Sequence, residues 1–378
     1  MKKKIAYVLP SFPTLSETFV GVEMRAMERQ GHSIQPFAFS KAQKGQQADR
    51  VLQRKCIYLD SSPYISLMPL CFSYRAHRFL IRQQGFSYLG LLRQGGQLAQ
   101  RVKMTQCQHI HAHFAWHSAA IAITAAKLLN ISVSFVGHGA DIYASPQDLE
   151  HKLQHVDFAC AVTAQMADEL KAQTHKPIHH IACGIEYELY PALLDTFAPT
   201  KQLLFIGRLV EKKGLHILIE ALDGTGITLD IVGDGPLLPD LQNEIHQRQL
   251  TSQVRFLGSQ DASWFRHHAK DYSALAAPFL IAQNGDQDTG PLVIKEAMAL
   301  GLPVITSDLS GCNEILTDLT GVQVKMGEPR LFRQAILNHF KRSRNELEQQ
   351  RQSAYQHVMT HFNAGTQAHK LSQFIEAL

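Results

Sequence analysis

The order strand, loop, helix, strand opens this chain and begins again halfway along it. Residues 5–9 form a short apolar run of buried-strand length, residues 10–13 a Pro-bearing loop, and residues 18–30 a helical pattern closed by Gly31. Residues 34–39 are a second apolar run. Strand 203–206, loop 207–214, helix 215–222 and strand 228–232 repeat the order. Strands joined through a helix run parallel, and a parallel sheet needs helices on both faces. The expected fold class is therefore α/β, with two Rossmann-like domains, and 378 residues suffice for both.

Further strands are expected at 108–113, 133–136, 158–162 and 178–182, then at 254–257, 272–277 and 304–305. Residues 328–349 read as one helix, and 350–378 contain another. The Pro-bearing, strand-free stretch 191–201 marks the link. It separates an N-terminal domain, 1–195, from a C-terminal domain, 196–357. No G-x-G-x-x-G follows the first strand, which argues against a dinucleotide-dependent dehydrogenase.

The six cysteines include no C-x-x-C pair, so neither a zinc knuckle nor a redox dithiol is indicated, and a reduced, cytoplasmic setting fits. The basic start MKKK precedes too short an apolar run for a signal peptide, and no run approaches the ~18 apolar residues of a membrane span. The net charge of +4 is uneven. Its excess sits in residues 41–103, where 11 basic residues meet only Asp49 and Asp60. Residues 62–103 read as helices, and Arg75, Arg78 and Arg82 recur there at helical spacing beside Leu80 and Ile81. Such a face suits an anionic membrane or a lipid phosphate; it also suits plain solvent exposure. Nothing points to nucleic acid.

Several stretches carry chemistry. Residues 207–214, GRLVEKKG, bring Arg208 and Lys213 to one strand–helix loop behind Gly207. Arg can bridge two phosphate oxygens and Lys adds a point charge, so a diphosphate is the natural guest. In 284–315, Gly290 and Pro291 mark a helix start, with Pro291 at the first helical position. Asp288 stands before that helix and Glu296 about one and a half turns inside it. Between them the free N–H groups of the first turn, at Leu292 and Val293, favour an anion. Two carboxylates flanking a phosphate cradle could hold sugar hydroxyls; equally, Asp288 could be a cap and Glu296 a solvated helix residue.

His138 stands between Gly137 and Gly139 after a strand, where open α/β sheets bind ligands, or is an exposed loop histidine. His109, His111 and His113 alternate and share a face; a metal is conceivable, but three ligands on one strand make poor tetrahedral geometry, and none is assigned. Thr14 and Glu17 have capping-box spacing, with Thr14 as N-cap and Glu17 at N3. With Ser11 they could instead contact an acceptor or a phosphate.

The wording of these stretches resembles a known family. DTGPLVIKEAMALGLPVI is similar to the E-x(7)-E signature of the retaining, GT-B-fold glycosyltransferases of family 4, with Asp288 where the family usually has Glu and Thr289 where it often has Gly. GRLVEKKG resembles the family's G-R-L-x-x-x-K-G phosphate segment. HAHF at 111–114 resembles a strand end that lines the family's cleft, HGADI at 138–142 its H-x-x-D-I/L region, and GDGP at 233–236 its G-x-G-P turn. CGIE at 183–186 is similar to N-G-I-D, with Cys for Asn and Glu for Asp. SFPTLSETF at 11–19 resembles the N-terminal loop of the bacterial exopolysaccharide members, the colanic acid type included.

The resemblance implies two Rossmann-like domains facing across a cleft, the first completed by a C-terminal helix at about 358–378. It implies retaining transfer of a hexosyl-type sugar from a nucleotide-sugar donor to a glycan or lipid-linked acceptor in surface polysaccharide biosynthesis. No metal and no cofactor are implied, since Arg208 and Lys213 neutralise the leaving diphosphate. His138 and Asp288 would serve the transferred sugar. Glu296, Gly207, Asp234, Gly290, Pro291, Leu292 and Val293 would hold the donor. Ser11, Thr14, Glu17, His113 and Asp141 would line the acceptor side. The expected place is the cytoplasm, peripheral on the inner face of the cell membrane. Two other readings share the fold: a non-catalytic sugar-nucleotide-binding protein and a sugar-nucleotide epimerase.

Overall fold

The computed structural model describes residues 1–42, 45–59, 73–190 and 200–378. The expected link at 191–199 and the start of the expected helical stretch, 62–72, lie outside them. The chain divides into two compact units, Met1–Gly184 with Ala364–Leu378 and Ile185–Asn363. The division thus falls at 184/185 and 363/364 rather than at 195/196 and 357/358. Ile185 N donates to Phe362 O at 2.8 Å, and Ile185 bridges Asn363, so these residues belong to one body.

Among the described residues, the first unit carries seven parallel strands: β1 (Lys4–Ser11), β2 (Ser33–Ser40), β3 (Ile57–Tyr58), β4 (His109–His113), β5 (Ser132–Gly137), β6 (Phe158–Ala161) and β7 (Ile178–His180). Their order is β3-β2-β1-β4-β5-β6-β7. In the centre, Ile5, Val8, Ile110 and Phe135 are buried, the pattern of strands covered on both faces. The helix Ala364–Glu376 returns to this unit. His32 Nε2 meets Ser372 Oγ at 2.8 Å, and Lys2 Nζ lies 2.7 Å from Glu376 Oε1.

Among its described residues the second unit carries six: β8 (Gln202–Ile206), β9 (Thr228–Val232), β10 (Val254–Gly258), β11 (Ala274–Ala277), β12 (Val304–Ser307) and β13 (Val322–Val324), ordered β10-β9-β8-β11-β12-β13 and all parallel. Leu203, Phe205, Leu218, Leu229 and Ile305 fill its core. Both expected Rossmann-like domains are present.

Three local expectations fail for physical reasons, and two short strands were not foreseen. Strands β3 and β13, two and three residues long, lie at sheet edges and are too short to show a period. Thr14 does not cap the first helix, Thr18–Arg29. Glu17 is the N-cap residue and makes no side-chain cap, and Thr14 Oγ1 donates to Glu17 Oε2 at 3.2 Å because it stands too far upstream to reach a free N–H. Pro291 is the N-cap of the helix Leu292–Ala299 rather than its first residue, with extended φ/ψ of −60° and 119°. The helix expected over 328–349 is two, Pro329–His339 and Arg344–His361; Ser343 and Glu346 form a reciprocal capping box that starts the second.

Candidate functional site

In the second unit, the loop after β8 and the loop before the helix Leu292–Ala299 meet. Lys213 Nζ lies 3.0 Å from Asp288 Oδ2, and Lys212 Nζ 2.9 Å from Asp286 Oδ1. The Lys213 ammonium also sits 4.7 Å from the centre of the Phe279 ring. Two glycines allow this approach. Gly214 has φ +63°, and a side-chain carbon there would stand 2.0 Å from Pro278 O. At Gly311 it would stand 2.4 Å from Asp288 O, so the next helix backs directly onto the Asp288 loop.

Burial raises the Asp288 carboxyl, but Lys213, Lys212 and Arg208 together outweigh it and hold the group below the usual carboxylate range. Arg208 is exposed on the same segment, and Leu209 N donates to Asp234 O at 2.9 Å, tying Gly207 and Arg208 to the 233–236 turn. Asp234 is exposed and accepts from Gly235 N. Gly290 has φ +120°, close to the buried Lys295, whose Nζ lies 4.5 Å from the Phe362 ring centre. Leu292 and Val293, half-buried, form the first helical turn. Two lysines of the loop after β8 are thus paired with two carboxylates of the loop before the helix Leu292–Ala299, Lys212 with Asp286 and Lys213 with Asp288.

Glu296 is partnered. Tyr190 OH donates to its Oε1 at 2.7 Å, and the Arg266 guanidinium lies 5.5 Å from the Tyr190 ring centre. Burial pushes the Glu296 carboxyl up, against the lowering effects of Tyr190 and Arg266. Lys212, Tyr190 and Arg266 had no signal in the sequence. Lys212 stands 74 residues from its partner Asp286, and Tyr190 stands 106 residues from Glu296 and 76 from Arg266; nothing short of the fold pairs them.

The first unit gathers a histidine cluster. His138 follows β5 and is 7% exposed. Its ring is flanked by Phe19 and Phe114, with centroids 4.5 and 4.7 Å away, and its Nε2 lies 3.3 Å from His113 Nδ1. Phe114 has φ +70°, a left-handed conformation costly for a bulky residue. Asp141 holds the loop. Its Oδ1 accepts from His138 N at 2.9 Å and its Oδ2 from Ala115 N at 2.6 Å. Expected on the acceptor side, Asp141 is instead fully buried, with both oxygens taken by backbone N–H groups. Burial pushes its carboxyl up to about 7. His109, His111 and His113 are wholly buried. Glu23, which sequence reasoning did not single out, reaches this cluster from the first helix. Ser11 ends β1, and Thr14 and Glu17 stand near the start of that helix.

Two Rossmann-like domains of this kind are the fold of the GT-B glycosyltransferases, and residues 194–357 match the family model described as glycosyl transferases group 1. Over its full length the chain is similar to WcaL of Escherichia coli K12, named as a colanic acid biosynthesis glycosyltransferase, at 24% identity over 99% of this chain and 100% of that one. It is 27% identical to the amylovoran biosynthesis glycosyltransferase AmsK of Erwinia amylovora over 70% and 69% of the two chains. The solved structure of Anabaena Alr3699/HepE in complex with UDP-glucose superposes with a TM-score of 0.75, at 16% identity and full coverage of both chains. Among the described residues, no helix is long and apolar enough to cross a membrane.

Proposed function

We propose that this protein transfers a sugar, with retention, from a nucleotide-sugar donor to a glycan or lipid-linked acceptor in surface polysaccharide biosynthesis. The observation that carries this is the meeting of the Arg208–Lys213 loop with the loop before the helix Leu292–Ala299, where Lys213 pairs with Asp288 and Lys212 with Asp286. A diphosphate entering there would meet two or more cations and a helix N-terminus, the combination that stabilises a leaving phosphate without a metal. The names of WcaL and AmsK support the polysaccharide setting, and the UDP-glucose bound to the HepE structure supports a uridine nucleotide.

In this reading Arg208 and Lys213 neutralise the diphosphate, Glu296 holds the ribose, and Asp288 and His138 serve the transferred sugar. Gly207, Asp234, Gly290, Pro291, Leu292 and Val293 shape the donor pocket. Neither metal nor cofactor takes part. The exposed Tyr74, Ile81 and Leu89, with Arg75, Arg78 and Arg82, give the first unit a face for an anionic membrane.

The test is a thermal-shift screen of UDP, GDP and ADP and their common sugars. It is followed by NMR of the product anomer with the stabilising donor. A donor at 100 times its Kd stabilises by about 2.7 kcal/mol. No shift with any nucleotide, or an inverted anomer, overturns the reading.

A further inference from the structure

The first unit contains a chain of polar contacts that ends on His138. Tyr7 OH, 3.0 Å away, donates to Glu23 Oε1. His113 Nε2 lies 3.3 Å from that oxygen and His111 Nε2 3.4 Å. Behind His111 the contacts continue: its Nδ1 meets Ser134 Oγ at 2.7 Å, and Ser134 Oγ meets His109 Nε2 at 2.8 Å. His109 Nδ1 meets Ser132 Oγ at 2.8 Å. In front, His113 Nδ1 meets His138 Nε2 at 3.3 Å.

Proton placement along this chain follows from one fact: an ionised carboxylate only accepts hydrogen bonds. Facing Glu23, His113 places a proton on Nε2, and a ring carrying that one proton has its lone pair on Nδ1. The contact with His138 is therefore donated by His138 Nε2–H, which leaves the lone pair of His138 on Nδ1. On the other branch, Ser132 donates to His109, His109 to Ser134 and Ser134 to His111, whose Nε2 then faces Glu23 Oε1 from 3.4 Å, beyond a well-formed hydrogen bond. Both branches run towards the same carboxylate without conflict.

We propose that Glu23 and His113 are positioning residues that fix the tautomer of His138, so that its Nδ1 is presented as a hydrogen-bond acceptor for a hydroxyl of the sugar substrate. The role for the sugar rests on the transferase reading above; the tautomer does not.

The electrostatics agree. Burial raises the Glu23 carboxyl, but His113 and His111 outweigh it and keep the group well below the usual carboxylate range. Burial pulls His138 well below the ordinary histidine value, so its ring is neutral. Burial, with Glu23, holds Tyr7 well above the ordinary phenol value, which keeps it a donor. The titratable groups packed here are Tyr7 from β1, Glu23 from the first helix, His111 and His113 from β4 and Cys160 from β6. The His138 ring cannot turn freely between Phe19 and Phe114, while Asp141 holds its main chain. A fixed second partner setting which ring nitrogen is protonated is the general way that imidazoles are tuned.

The atoms Glu23 Oε1, His111 Nε2 and His113 Nε2 also fall within 4.8 Å of one another, so a cation is the competing occupant. It would need both Nε2 atoms as lone pairs, which reverses His113 and leaves His138 protonated on Nδ1. The two readings thus predict opposite tautomers.

The experiment is nitrogen-15 NMR of the full chain labelled at histidine, with the His138 signals identified by their loss in His138→Gln. The expected wild-type pattern is a protonated Nε2 and a bare Nδ1. Glu23→Gln should mix or invert that pattern. With the donor found in the thermal-shift screen, it should lower kcat about 10-fold or more, the loss of one oriented hydrogen bond, and leave donor KM within about 2-fold. A wild-type His138 protonated on Nδ1 overturns the proposal, as does stoichiometric metal in the purified protein. An unchanged pattern or unchanged kcat in Glu23→Gln also overturns it. The wild-type measurement stands even if that variant misfolds. Absence of transfer with every donor, beside the expected tautomer, would sink the transferase reading and leave the relay in place.

Discussion

Lys213 and Asp288, 75 residues apart in sequence, form an ion pair of 3.0 Å at the start of the helix Leu292–Ala299, with both side chains largely buried. The pair joins the two stretches that carry most of the donor-site expectations. The carboxylate is kept ionised by its neighbours, and the ammonium is held in place, on Phe279 as well, before any ligand arrives.

Removing Lys213 should therefore harm both stability and binding. Lys213→Ala leaves Asp288 buried with weaker compensation and is expected to cost about 2 kcal/mol in urea unfolding at pH 7. It should also weaken nucleoside diphosphate binding about 10-fold in calorimetry. The folded pKa of Asp288 lies below its unfolded value of about 3.9. Its stabilisation is thus present above that value and lost as pH falls through the folded pKa, so the cost of Lys213→Ala should shrink below about pH 4. An equal cost at pH 7 and pH 3.5 would contradict the pairing.

Glu296 should behave in the opposite sense. Its folded pKa is raised by burial, so the folded state binds the proton better than the unfolded chain does. The resulting penalty appears as pH rises through the unfolded value and is complete above the folded one. Glu296→Gln keeps the acceptor for Tyr190 OH and removes the charge. It should stabilise the protein at pH 7 by about 0.5–2 kcal/mol while weakening nucleoside diphosphate binding about 10-fold. A variant that gains stability and keeps full affinity would remove Glu296 from the ribose site. Tyr190→Phe should weaken the nucleotide more modestly, since it leaves the carboxylate in place but unanchored.

Asp141 governs the loop that carries His138. Asp141→Ala strands two backbone N–H groups, those of His138 and Ala115, and is expected to cost about 2–4 kcal/mol by chemical denaturation. With a folded pKa of about 7 against an unfolded value near 3.9, the wild-type side chain makes its contribution to stability fall as pH rises between those values and level off above. Asp141→Asn has no such titration. Unfolding midpoints from pH 4 to 8 should show a wild-type slope lacking in the Asn variant, and parallel curves would refute it.

The membrane-facing reading of the first unit is decided by vesicle co-sedimentation. Pelleting with anionic lipid should fall with added salt, because exposed charges are screened within about 10 Å at 0.1 M. Exchange of Arg75, Arg78 and Arg82 for Gln should reduce it several-fold. Equal pelleting with neutral vesicles would refute an electrostatic docking face.

Much of the fold was legible in the chain because it is written locally. Buried parallel strands show as short apolar runs, and the repeated strand–loop–helix order implies two parallel sheets. The motifs around Arg208, Lys213, Asp288 and Glu296 could be read as words, since each lies within one loop and the start of one helix. What failed lay at short range or at edges. Two- and three-residue edge strands carry no period, and the break at Ser343 lies inside a stretch that is polar throughout.

The sequence by itself determined the α/β class, the two sheets and the segments from which the chemistry is drawn. Only the tertiary structure decided which side chains meet. Glu23 is one of two acidic residues in an ordinary helix until β1 and β4 bring Tyr7, His111 and His113 against it. Tyr190 stands 106 residues from Glu296 and is its hydrogen-bond partner. Asp141 looked like a ligand contact and is a buried anchor for two backbone amides. Local pattern follows backbone geometry and hydrophobic burial, which neighbours in sequence specify. Partnership between polar groups is a matter of a few ångströms across separate elements, and burial then sets their charge; neither is encoded at any fixed spacing along the chain.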